Sequence, residues 1–113
     1  MASKINARNK GHAYELDIIK WCKERGWDEA VSARSESKRT DDSGVDICYT
    51  KPLNIQCKAN EKLGPPHPIL ASMPKGTNYN VVFNKKNRQG TVVSMTLDDF
   101  TELIDMLKQN KII

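Results

Sequence analysis

Gly44-Val45-Asp46-Ile47-Cys48-Tyr49-Thr50-Lys51-Pro52-Leu53-Asn54-Ile55-Gln56-Cys57-Lys58-Ala59 reads as two short strands joined by a tight turn. Pro52 has no N–H to give to a ladder, so Lys51-Pro52 suits the turn and not a central strand. The strands are expected over 45–50 and 53–59, antiparallel to one another. Successive strand residues point to opposite faces. Ile55, Cys57 and Ala59 therefore share an apolar face, and Asn54, Gln56 and Lys58 the other. In the first strand Val45 and Ile47 face the core, so Asp46 turns away from it, toward the Gln56–Lys58 end. Asp, Asn and Lys are all depleted in strands. Asp46 at a strand end, and Gln56 with Lys58 on a solvated strand face, are the plain readings. A metal site built on a sheet is the sharper one.

The sharper reading has a chemical logic. A hard divalent cation takes oxygen ligands. Asp46 offers a carboxylate, Gln56 an amide carbonyl, and Cys57 a backbone carbonyl between Gln56 and Lys58. Lys58 brings a cation that can orient or deprotonate a water, or offset charge developing on a phosphate. Glu15 lies on the edge of a helical apolar stripe, three and four residues before Ile18 and Ile19. A carboxylate there is half-buried and needs a partner. It can supply a further ligand, or pair with Lys20 or Arg25. Asp41 and Asp42 are alternative ligands, held less rigidly by a polar loop than Asp46 is by a strand.

The remaining elements follow from periodicity. Tyr14, Ile18, Trp21 and Cys22 recur at helical spacing, with Leu16 and Ile19 widening the stripe, which predicts a helix over 10–25 stopped by Gly26. A short strand is expected over 27–33. Residues 34–43 hold no apolar side chain and read as a loop. Gly64-Pro65-Pro66-His67-Pro68 breaks regular structure, and 69–73 makes a helical turn. Strands follow over 79–83 and 91–95, joined by a loop over 84–90. Thr96 or a neighbour caps a final helix, with Asp98 and Asp99 in its first turn and Phe100, Leu103, Ile104 and Leu107 along one face. The expected fold is α/β: one domain over 1–113, with a central mixed sheet flanked by helices.

The chain has 113 residues, a net charge of +4 and a pI near 9.0. The excess of positive charge is compatible with phosphate binding without demanding it. Its distribution is more telling. Lys4, Arg8 and Lys10 precede the expected first helix; Arg34, Lys38 and Arg39 lie in the polar loop; Lys85, Lys86 and Arg88 lie in the expected hairpin tip. Ordinary solvated loops account for such charges equally well, and Glu36, Asp41 and Asp42 dilute the second cluster. The three cysteines, Cys22, Cys48 and Cys57, form no CxxC pair, and His12 and His67 are far apart, so zinc is not expected. Free thiols imply a reducing compartment. No apolar run approaches the roughly 20 residues that span a bilayer. The N-terminus lacks the apolar segment of a secretory signal, so a cytoplasmic location is expected. Trp21 and Trp27 are expected in core or dimer contacts, and His12 on the surface of the first helix.

Gly44-Val45-Asp46-Ile47 followed by Ile55-Gln56-Cys57-Lys58 resembles the core of the PD-(D/E)xK nucleases. A first helix bearing a Glu, as Lys10-Gly11-His12-Ala13-Tyr14-Glu15 does, resembles the archaeal-type Holliday junction resolvases among them. The polar stretch 34–43, with serines including Ser35, also matches those resolvases in place and character. The motifs are short, and the order and spacing of the parts over 9–59 carry the resemblance. It implies a restriction-endonuclease-like fold. It implies Asp46 as central metal ligand, Lys58 as catalytic lysine, Gln56 in the place of the second acid and Glu15 as the helix acid. It implies Mg2+, with Mn2+ able to substitute, and hydrolysis of DNA phosphodiesters by a symmetric homodimer on a four-way junction. The basic residues Arg8, Lys10, Arg34, Ser35, Lys38, Arg39, Lys85, Lys86 and Arg88 would then grip DNA. Two positions depart from the pattern. Val45 stands where the motif has proline, and Gln56 removes one negative charge from the metal site. A restriction-type or single-strand-specific relative, and an inert DNA-binding module on the same fold, are the alternatives.

Overall fold

The computed structural model describes residues 4–36, 44–59, 65–86 and 88–113, with side chains from Gly11 onward except that of Glu36. The elements are α1 (Lys4–Glu24), β1 (Val31–Ser32), α2 (Ala33–Glu36), β2 (Ile47–Cys48), β3 (Leu53–Ala59), α3 (His67–Ser72), β4 (Tyr79–Lys86), β5 (Gly90–Ser94) and α4 (Leu97–Gln109). The architecture is α/β, with a five-stranded mixed sheet in the order β1-β2-β3-β4-β5 flanked by helices. Strands β1, β2 and β3 form an antiparallel meander, β3 and β4 run parallel, and β5 returns antiparallel as an edge. The parallel pairing needs a crossover, and α3 lies within it. No helix among the described residues is long and apolar enough to cross a membrane.

Strand alternation divides the core into two layers. Ile47, Ile55, Val81 and Phe83 face α1 and pack with its Tyr14, Ile18 and Cys22. Val82 faces the other way and packs with Leu70 and Met73 from α3 and the residue after it. Tyr14, Ile18 and Cys22 recur every fourth residue, which sets one buried stripe on α1. Leu16, expected to widen that stripe, is 64 % exposed. Trp21 and Trp27 pack against this core, with Trp21 edge-on to Phe83 at 5.4 Å between ring centres.

The start of α1 differs from expectation. Helix extends back to Lys4, so Lys4, Arg8 and Lys10 lie within it and do not precede it. Lys, Ala and Arg are good helix formers, and a single Gly11 is tolerated there. The far end follows the expected stop. Gly26 N–H donates to the Lys23 carbonyl and Trp27 N–H to the Cys22 carbonyl, with Gly26 at φ +102°, a Schellman closure.

Three further elements are shorter or longer than expected. The strand anticipated over 27–33 is only Val31–Ser32, because a turn from Trp27 to Ala30 precedes it. The strand anticipated over 45–50 is only Ile47–Cys48, because Tyr49 takes φ +65° and leaves the extended region. The turn that follows closes through Leu53 N–H to the Thr50 carbonyl and contains a cis Lys51–Pro52 peptide. The stretch expected as a loop from Arg34 opens with α2, whose Ser32 lead-in accepts from Arg34 N–H. Lys85 and Lys86 belong to β4, leaving Arg88 in the hairpin tip. By contrast β3 spans the expected residues, and Thr96 caps α4 by accepting from Asp99 N–H at 3.2 Å.

Candidate functional site

Strand β3 outlasts β2. The ladder pairs Ile47 with Ile55, and beyond that pair the β2-side edge of β3 is met by Asp46. Hydrogen bonds to three neighbours help to fix this residue. Its N–H donates to the Ile55 carbonyl at 2.8 Å, its carbonyl accepts from Ala33 N–H at 2.8 Å, and its carboxylate Oδ2 accepts from Cys57 N–H at 2.7 Å. The side chain thus stands in for a ladder partner, in the plane of the sheet and not out on one face as the alternation argument places it. A strand residue's N–H and C=O point to the same neighbour. The Cys57 carbonyl therefore opens to the edge that Asp46 occupies.

Glu15 approaches from the α1 side. Its side chain is nine-tenths buried, and its Oε1 accepts from Arg34 Nη2 at 2.9 Å. Arg34 Nη1 also meets His12 Nε2 at 2.6 Å. A guanidinium only donates, so His12 accepts there through Nε2. This network joins α1 to α2 and replaces the pairings considered for Glu15. Arg25 lies over the Trp21 ring at 5.3 Å, and Lys20 is exposed. The other oxygen, Oε2, is buried without a hydrogen-bond partner. Leaving a carboxylate oxygen so placed is costly unless a cation or water meets it.

Gln56 and Lys58 share the α3 face of β3, as alternation predicts, while Ile55, Cys57 and Ala59 contribute to the α1-side core. The Gln56 carboxamide is best satisfied with its nitrogen donating to the Gly44 carbonyl at 2.7 Å and its oxygen accepting from Lys58 Nζ at 3.3 Å. On the same face Asn54 donates to Asn80 at 2.8 Å and accepts from Asn78 at 3.2 Å, an amide ladder that stiffens this end of the sheet.

Cys57 relates the two carboxylates to one another, on the face opposite Gln56 and Lys58. Burial first, then the negative charges of Asp46 and Glu15, hold its thiol well above the ordinary thiol range. Both carboxylates therefore lie within electrostatic reach of one side chain, and Gln56 and Lys58 are its chain neighbours. All three cysteines are free thiols. Among the described residues no three His, Cys, Asp or Glu side chains gather around a common point. The donors here are two carboxylates and a backbone carbonyl, hard oxygens that suit Mg2+ or Mn2+ and not zinc, while the Gln56 carboxamide turns its oxygen to Lys58. The orphaned Oε2 of Glu15 is the observation that such a cation or its water shell would satisfy.

The expected DNA-binding residues divide. Lys38 and Arg39, like Asp41 and Asp42, lie outside the described residues. Arg8 and Lys10 are placed in the backbone of α1. Arg34 turns inward onto Glu15, and Ser35 Oγ donates to the Ser32 carbonyl at 2.7 Å. Lys85 is exposed, with Nζ 5.8 Å from the Tyr14 ring centre, Lys86 is half-buried and Arg88 is exposed. Sequence reading missed the role of Arg34 because it sits 19 positions from Glu15. It also missed the Gly44 carbonyl, for which the glycine itself, at φ +87°, was the available signal.

Two large cavities lie elsewhere. One of about 630 Å³ is lined by Trp27, Tyr49 and Asn54, and one of about 740 Å³ runs between α3 and the start of α4. Neither is lined by Glu15, Asp46, Gln56 or Lys58. Among the described residues the candidate site lies along the part of β3 that β2 leaves unpaired, outside both cavities. Comparison of the chain with protein-family models, curated proteins and solved structures finds no match.

Proposed function

We propose that this chain is a metal-dependent endonuclease that hydrolyses DNA phosphodiesters, with four-way junctions as its substrate and a homodimer as its working form. The observation that carries the proposal is the Asp46 carboxylate clamped on the N–H of Cys57, the residue before Lys58, with the buried, half-satisfied Glu15 within electrostatic reach of the same Cys57. The mixed sheet flanked by helices is compatible with the restriction-endonuclease-like fold that the sequence resemblance implies.

Asp46, the Cys57 carbonyl and Glu15 are the residues that would hold Mg2+ or Mn2+. Bound there, the ion supplies Lewis-acid stabilisation of a phosphate and makes a nearby water more acidic. The chain's own groups do the rest. Asp46 is preorganised by its hydrogen bonds to Ile55, Ala33 and Cys57, so it loses little freedom on ligation. Lys58 presents an ammonium that orients a water or offsets charge on the phosphoryl oxygens. Lys85 and Arg88 offer exposed cations on the β4–β5 hairpin for phosphate contacts. Exposed apolar side chains on α4, Leu97, Phe100 and Met106, support a second copy as partner.

Incubation with four-way junction, linear duplex and single-stranded DNA in Mg2+ tests the reading. Paired, symmetric cuts confined to the junction are expected. Cuts in linear duplex instead assign a restriction-type substrate, and binding without cleavage in both Mg2+ and Mn2+ assigns an inert DNA-binding module.

A further inference from the structure

The Gln56 carboxamide has two partners of opposite polarity. The Gly44 carbonyl only accepts, and the Lys58 ammonium only donates. With nitrogen toward Gly44 at 2.7 Å and oxygen toward Lys58 at 3.3 Å, one amide satisfies both. A carboxylate only accepts. At this position it satisfies Lys58 while setting a negative oxygen against the Gly44 carbonyl. Gly44 holds φ +87°, and a Cβ on it would lie in van der Waals contact with the Ser72 carbonyl and the Met73 Cα. Gln56 is locked in β3, in register with the fully buried Val82 of β4.

We propose that Gln56 is a positioning residue that braces the Lys58 ammonium against the Gly44 backbone, and that it is not a metal ligand. The proposal deepens the nuclease reading and rests on it for the role of Lys58; the brace itself does not. It gives a reason for an amide where the motif has an acid. The oxygen that would face a cation is committed to Lys58, and the other end of the group must donate. Ligation then falls to Asp46, the Cys57 carbonyl and Glu15.

Gln56→Glu and Gln56→Met, two substitutions of similar length, test this. In metal-free protein, both shift the NMR signals of the Lys58 ε-methylene and of the Val45 amide, whose peptide contains the Gly44 carbonyl. Unmoved signals in both variants overturn the brace, whatever the protein's activity. In calorimetric titration with MnCl2, Gln56→Met binds within about twofold of wild type, Gln56→Glu binds no tighter, and junction cleavage by Gln56→Met falls about tenfold in kcat. Mn2+ binding about tenfold weaker in Gln56→Met, or about tenfold tighter in Gln56→Glu, makes the residue a ligand and overturns the proposal. A wild-type protein that neither binds Mn2+ nor cuts DNA sinks the nuclease reading, while the NMR comparison still decides the brace.

Discussion

Asp46 concentrates the account at the scale of single residues. Its backbone is spent on Ile55 and Ala33, and its carboxylate on the Cys57 amide. Asp46→Asn keeps an oxygen to accept from Cys57 N–H and loses the charge. Its unfolding midpoint should stay near that of wild type while divalent-metal binding is lost in calorimetry. Arg34→Ala leaves the buried Glu15 carboxylate without its donor, at a cost of about 2 kcal/mol in urea unfolding. No loss means that Glu15 has found another partner. Cys22 gives a pH test. Burial raises its thiol from 9.0 to about 11. The folded protein then keeps a proton that the unfolded chain releases, so stability falls as pH rises from 9.0 through about 11. Urea unfolding across that range should show the decline, and Cys22→Ala should lessen it, leaving the part that the raised Cys57 thiol contributes. Glu15 was legible in the sequence as a carboxylate at the edge of an apolar stripe. Its partner was not, since nothing local in the polar stretch distinguishes Arg34 from its basic neighbours.

At the scale of elements, strand β3 was legible to its ends because apolar and polar residues alternate over Leu53–Ala59 between a proline turn and a polar segment. Strand β2 was not, because the positive φ of Tyr49 is a backbone choice that composition does not announce. The short β2 matters for the site: it leaves the edge on which the Asp46 carboxylate replaces a ladder bond. Gly44 begins this segment at φ +87°, so Gly44→Ala should cost about 1–2 kcal/mol through the left-handed backbone alone. Helix α4 behaves differently. None of its residues is buried, and among the described residues it has no extensive contact with another element. Thr96→Ala removes its N-cap, worth about 1 kcal/mol. That loss should appear as faster hydrogen exchange within Leu97–Gln109, with little change in the global unfolding midpoint.

At the scale of the whole molecule, α4 is an amphipathic helix with an apolar face that its own chain leaves partly open. Phe100 is 47 % and Leu97 76 % exposed, and Val92 and Val93 on the neighbouring edge strand are also exposed. On the proposed homodimer, a second copy would cover this face, whose apolar stripe was legible in sequence but does not close the core. Sedimentation should show a dimer, and Phe100→Asp combined with Ile104→Asp should yield monomer with an intact fold. Phosphate contacts predict that DNA binding weakens steeply with salt. The β3 edge around Asp46 is proposed as a nuclease centre. Cleavage of a four-way junction in Mg2+ by wild type and by Asp46→Asn tests it most directly. Paired symmetric cuts by wild type are predicted, with none by Asp46→Asn at undiminished junction binding. Cutting by Asp46→Asn at the wild-type rate, or junction binding by wild type without cleavage in either Mg2+ or Mn2+, contradicts it.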